Sequence, residues 1–321
     1  MPTSTPNATI VSRDTYTSAL AHSPTFGREI RLDPAATQGV ATQWFSLSAF
    51  DDGNEELAHA YSTYERDEFR RLAETVLGGW LGDLCSIAEQ ASWSGSQPEA
   101  LLRLVRHQLW PRLERLTDEA LDDIHAAISA GHRPWLIAAQ RQLRELQIAT
   151  NDLSVRSIQD LMEAIGAEEG DDAVVAALDV SYQHIWKERY QLWLQLSGHE
   201  RLALSCEGMR AHYGGPDRRG DFEVIEREDD YLMAFNPCGT GQVMRRGDDP
   251  REPIVYLGDP TRGRTTQPAD SNQDVVGMPY YCTHCPVLLE HFPLRDLGQI
   301  LRPVLFNIDP AVPCKWIVPK H

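Results

Sequence analysis

Positive charge is scarce in this chain: 30 Lys and Arg stand against 47 Asp and Glu, a formal net charge of −17 over 321 residues. A protein that follows a nucleic-acid backbone neutralises phosphates with clustered cations. The balance here repels nucleic acid and anionic membrane, so neither is expected as a partner. The dense basic patches, "DRRGD" around Arg218 and "MRRGD" around Arg245, are short, and each runs into acid. Long apolar runs are missing too; no stretch approaches the ~20 residues that span a bilayer. The start, "MPTSTPNATIVSRDTYTS", has neither the basic opening nor the apolar run of a secretory leader. The expected setting is therefore cytoplasmic, where thiols stay reduced. Internal repeats, a G-x-S-x-G nucleophile turn and a phosphate-binding glycine loop are absent as well. "CGTG" at Cys238–Gly241 fits neither the Walker nor the dinucleotide pattern.

What is present is ordinary globular material, 42% apolar and 24% charged, enough for a sizeable core. Residues 1–53 are rich in Ser, Thr, Pro and Ala without clear periodicity and read as an irregular N-terminal arm, with "QWFSLSAF" able to dock. Residues 54–213 read as an α-helical domain. Thr117 looks like an N-cap and Gly131 like a stop; "RPWLIAAQRQLRELQ" and "SIQDLMEAIGAEEG" read as two further helices. The longest candidate runs from Asp171 to the glycines at 214 and 215. Its rings Tyr182, Trp186, Tyr190 and Trp193 fall on one helical face, as a core stripe does.

After Gly214 the texture changes, and residues 214–321 read as a small Cys-rich α+β zinc-binding domain. "FEVIERE" and "YLMAF" around an acidic turn predict an antiparallel hairpin. "PIVYLG" and "PCKWIVPK" predict strands; "HCPVLLEHF" and "LRDLGQILRPVLF" predict short helices, the second cut by Pro303. The fold class is thus α+β, mostly helical first and mixed afterwards.

Of six cysteines, four lie in this last third: Cys238 in "NPCGTG", Cys282 and Cys285 in "YCTHCP", and Cys314 in "VPCKW". Pro and Gly beside a cysteine favour tight turns that aim backbone N–H groups at the sulfur and stabilise thiolate. Zinc takes four ligands in a tetrahedron, and a C-x-x-C supplies two from one turn. The four are the candidate metal ligands, zinc the expected cofactor. A redox dithiol and plain buried thiols are the alternatives. Cys85 and Cys206, on apolar helical stretches, read as core thiols.

His284 inside the C-x-x-C and Glu290 beyond it are candidate catalytic groups, able to complete a ligand set or move a proton at bound water. His212, in "RAHYGG" at the junction of the two regions, is the third, because clefts form at such junctions. Glu56-x-x-His59 matches one ligand pair of a di-iron bundle, but no second pair accompanies it. Two functions follow. One is a zinc-binding enzyme of small-molecule metabolism, its pocket between the helical and Cys-rich parts. The other is a non-catalytic binding protein with a structural four-cysteine zinc. Under the second, the short, loop-rich region after Gly214 needs the metal as a staple.

Overall fold

"RPWLIAAQRQLRELQ" and "SIQDLMEAIGAEEG" belong to one helix of 37 residues, Arg133–Glu169. The polar stretch between them looks like a break in sequence, yet Thr150, Asn151, Asp152 and Ser154 are all buried in mid-helix. Thr150 and Ser154 donate their hydroxyls back to the carbonyls of Leu146 and Thr150, at 3.0 and 2.7 Å. Asn151 and Asp152 find tertiary partners, described below. His132 caps the start, accepting from the Trp135 amide, and Gly170, with φ of 89°, ends it.

The computed structural model describes residues 11–90, 105–235, 238–241, 263–309 and 312–321. They form a mostly helical α+β protein with two small antiparallel sheets. The segment read as an irregular arm is ordered structure over its described part. It carries a helix at Arg13–Ser18, a hairpin of β1 (Leu20–Ser23) with β2 (Arg28–Arg31), and a helix at Thr42–Asp51. Arg31 ties it down: its guanidinium is fully buried, pairs with Asp33 through two 3.0 Å bonds, and lies over the Phe45 ring. Local composition carried no sign of that long-range anchor.

Asn54 caps the helix Glu55–Arg71, which runs through a π-helical turn at Leu72–Leu77 into Gly78–Gln90. Gly78 is required there, since a Cβ would stand 2.6 Å from the Trp110 ring. Thr117 is not an N-cap. It sits inside the helix Trp110–Ser129 and donates to Leu113 O, so the hydroxyl is satisfied without ending the helix. The long candidate from Asp171 is two rods, because Ser197 and Glu200 form a capping box that starts a new helix at Gly198–Ala211. The stripe Tyr182, Trp186, Tyr190 and Trp193 is buried in the main core.

The hairpin is present: β3 (Glu223–Glu226) pairs with β4 (Asp230–Phe235). So is the final strand, β6 (Cys314–Pro319), beside β4 with Phe235 opposite Cys314. A two-residue β5 (Val304–Leu305) closes the order β3-β4-β6-β5. The expected helix around Pro303 does not form. Gly298, with φ of 77°, stops the helix Phe292–Leu297, and the chain is extended by Val304. "PIVYLG" and the patch at Arg245 lie outside the described residues. One buried cluster joins Trp80, Leu161 and Tyr182 from the helices to Met233, Phe235, Tyr281 and Val318 from the last third. Among the described residues, no helix is long and apolar enough to cross a membrane.

Candidate functional site

Cys282 and Cys285 lie on the short helix Tyr280–Pro286. Two residues of neighbouring helices hold it. Gln159 accepts from the Tyr281 amide at 2.7 Å while donating to Gly263 O, and Asp171 accepts from the Tyr280 hydroxyl at 2.7 Å. The indole of Trp80 stacks on Tyr281, ring centres 5.2 Å apart. Cys238 sits just past β4, its sulfur 3.3 Å from Thr240 Oγ1. Cys314 opens β6. His212 caps the C-terminus of Gly198–Ala211.

These segments meet around one cavity of about 50 Å³. All four candidate cysteines line it, with His212 and His284; Phe235, Phe306 and Trp316 supply apolar wall. Gly241 lets the chain pass against the Cys282 sulfur, where a Cβ would collide. The six cysteines of the chain are thiols, not disulfides. Cys85 and Cys206 are buried core residues away from this cavity, and burial pushes Cys206 up to about 12.

A buried ion pair sets the wall behind Cys238. Arg218 donates to both oxygens of Asp152, at 2.6 and 2.8 Å. Arg218 and Asn151 also each donate to Gly239 O at 3.1 Å, and Asn151 donates to Asp152. Arg218 is therefore not part of a basic surface patch, as "DRRGD" suggested. Gly239 cannot be another residue without moving backbone, since a Cβ there would lie 2.7 Å from the Gly214 amide. Tyr213, Asp217 and Arg218 all hold positive φ, so the chain that follows His212 is bent through conformations that non-glycine residues seldom adopt.

The two histidines share one arrangement. His212 Nδ1 lies 2.7 Å from Asn151 Oδ1, and His284 Nδ1 bonds the carbonyl of Tyr281. Asn151 already spends its amide hydrogens on Asp152 and Gly239, and a carbonyl only accepts. Each imidazole thus carries its proton on Nδ1 and keeps a lone pair on Nε2. Burial holds both rings neutral, His212 at about 3 and His284 at about 4. His284 Nε2 is 3.4 Å from the Cys285 sulfur, which Trp316 also hydrogen-bonds. Burial, then the neighbouring Cys238, Cys282 and Cys314, push the Cys285 thiol well above its usual value. A cation in the cavity would reverse that balance, because it favours thiolate.

Glu290 stands elsewhere. Its carboxylate accepts from the Val304 amide and lies 3.4 Å from Gln273 Nε2, so it secures β5 and does not line the cavity. No Asp or Glu among the described residues lines it. Among the described residues, no three His, Cys, Asp or Glu side chains form a group that could hold a metal ion as they are placed. Sequence reasoning found the four cysteines and both histidines but missed Asn151, Asp152, Arg218 and Trp316. The only signal for the first two was a polar pair inside a helical stretch. No family model matches the chain, and no curated protein or solved structure matches it.

Proposed function

We propose that the cavity is a metal centre, and that the protein is a zinc-binding enzyme of small-molecule metabolism built around it. One observation carries the reading: four thiols from three separate segments and two imidazoles that keep a lone pair on Nε2, that of His284 turned to the Cys285 sulfur, line the same small cavity. Each histidine is also oriented through its Nδ1–H by a protein oxygen, the support that metal-bound imidazoles characteristically have. The thiols reach an ion by rotating into the free volume, which exceeds the space of one water. Zinc fits soft sulfur and imidazole donors. Six candidate donors exceed the four positions of a tetrahedral ion, so one can be replaced by another, and a site that binds through three of them keeps a position for a substrate to be activated.

The second reading is a closed four-sulfur site that only staples the fold. Among the described residues no carboxylate lines the cavity, which favours it, since none of the described side chains there is suited to move protons near pH 7.

Protein purified without chelator should contain about one zinc per chain. Cys282→Ser and Cys285→Ser should lose it, and Cys206→Ala should keep it. X-ray absorption at the metal edge separates the readings: a nitrogen or oxygen in the first shell supports the enzyme, four sulfurs the staple. Protein without metal, from cells grown with added zinc, would sink both.

A further inference from the structure

A second space lies against the aromatic stripe. It is a surface groove of about 370 Å³, within the range that small-molecule sites occupy. Trp186, Tyr190 and Trp193 show it only the edges of otherwise buried rings, and Phe26, Val76 and Leu192 complete its apolar wall. Four arginines line it against two glutamates. Arg28 pairs with Glu68 and Glu207, and Arg71 pairs with Glu68, so both acids are taken. Arg189 and Arg302 remain without a carboxylate partner among the described residues. In a chain of net charge −17 this local excess of cation is unusual.

Arg302 is the more telling of the two. Its guanidinium lies 4.7 Å from the ring centre of Trp193 and 5.0 Å from that of Trp316. Among the described residues its buried Nε has no acceptor, and its side-chain hydrogen bond is a long 3.5 Å contact to the Tyr190 hydroxyl. A planar cation fixed over aromatic faces, with its donors unspent, is preorganised for a carboxylate.

Gly208 is an independent sign. It lies inside the helix Gly198–Ala211 and lines the groove, and a Cβ there would meet nothing within 4 Å. Glycine in mid-helix costs roughly 1 kcal/mol relative to alanine. The usual reason to tolerate it, a close neighbour, is missing; what its bareness preserves is space in the groove.

We infer that this groove binds a small amphipathic carboxylate, its apolar body against Leu192, Phe26 and the exposed edges of Trp186 and Trp193, and its carboxylate on Arg302. Arg302 stacks on Trp316, and Trp316 lines the cysteine cavity, so the acid end of the ligand lies one ring away from that centre. Binding does not depend on what the cysteines hold.

The test is calorimetric titration of the full-length protein with 1-naphthoate and with its neutral analogue 1-naphthamide. The wild type should bind one naphthoate per chain, about tenfold more tightly than the amide, as expected for a charge-assisted contact. Arg302→Gln should bring the two probes together by weakening naphthoate alone. Gly208→Leu should abolish binding of both, while its circular dichroism and cooperative melting show that it is folded. Equal affinity for the two probes in the wild type, no saturable binding of naphthoate, or full binding by a folded Gly208→Leu would each overturn the assignment. If Arg302→Gln does not fold, Arg189→Gln, an exposed residue of the same lining, takes its place and should narrow the gap between the probes.

Discussion

Asp152 and Arg218 show how much one pair of side chains decides. Both are buried, their two bonds are short, and the same guanidinium holds the carbonyl of Gly239. Removing one charge of such a pair strands the other in an apolar setting. We expect Asp152→Asn to destabilise the protein by about 3 kcal/mol in urea titrations. The loop Cys238–Gly241 should loosen with it, so, if the proposed centre holds zinc, the variant should also release it faster to a chelator. Glu65 offers a pH signature. Burial raises its carboxyl to about 7 against the pull of Arg144 and the Tyr213 hydroxyl. The folded state therefore binds a proton that the unfolded chain has released above its ordinary value of 4.5. Stability from this group is complete below the unfolded value and is lost as pH rises through the folded one. Wild type should thus lose denaturant resistance between pH 5 and 8 relative to Glu65→Gln, which carries no titrating proton. A constant gap between the two proteins across that window would show that Glu65 titrates normally.

At the scale of elements, the break at Ser197 decides where His212 ends up. A helix that ran on unbroken from Asp171 would carry Gly198–Ala211 off the axis that brings His212 to the cavity. The capping box supplies that stop, and Gly198 fits close against the Lys320 backbone. Ser197→Ala should cost about 1 kcal/mol, read as a lower melting temperature. The S-x-x-E signature was visible in the sequence, but continuing apolar periodicity masked it. The hairpin and β6 were legible because their runs of apolar and β-favouring residues are bounded by acidic turns and prolines. The helix expected through Pro303 failed although its stop, Gly298, stood in view. The cysteines were legible by spacing and by their Pro and Gly neighbours. The network behind them was not: Asp152 and Arg218 are 66 residues apart, and no local pattern links them. Burial likewise turned an apparent break at Thr150–Asp152 into the interior of the longest helix.

For the whole molecule, the question is whether the last third stands without its centre. Read from sequence, that region was short and loop-rich and needed a staple. In the structure its core is not its own. Met233, Phe235, Tyr281, Leu288, Phe292 and Val318 are buried in the same cluster as Trp80, Leu161, Met162 and Tyr182. Each large apolar side chain buried this way contributes roughly 1.5–3 kcal/mol, and such contacts tie β4 and β6 to the helices whether or not an ion is present. A zinc-dependent small domain folds around its metal because it has no such neighbour. Cys282→Ser should therefore lose metal and keep its fold. Native-state hydrogen exchange should find the amides of β4 and β6 about as protected as those of Arg133–Glu169. Faster exchange should be confined to Cys238–Gly241, Tyr280–Pro286 and the first residue of β6, where the candidate ligands sit. Fast exchange throughout β4 and β6, with the long helix still protected, would show instead that the sheet is a separate cooperative unit that depends on the metal.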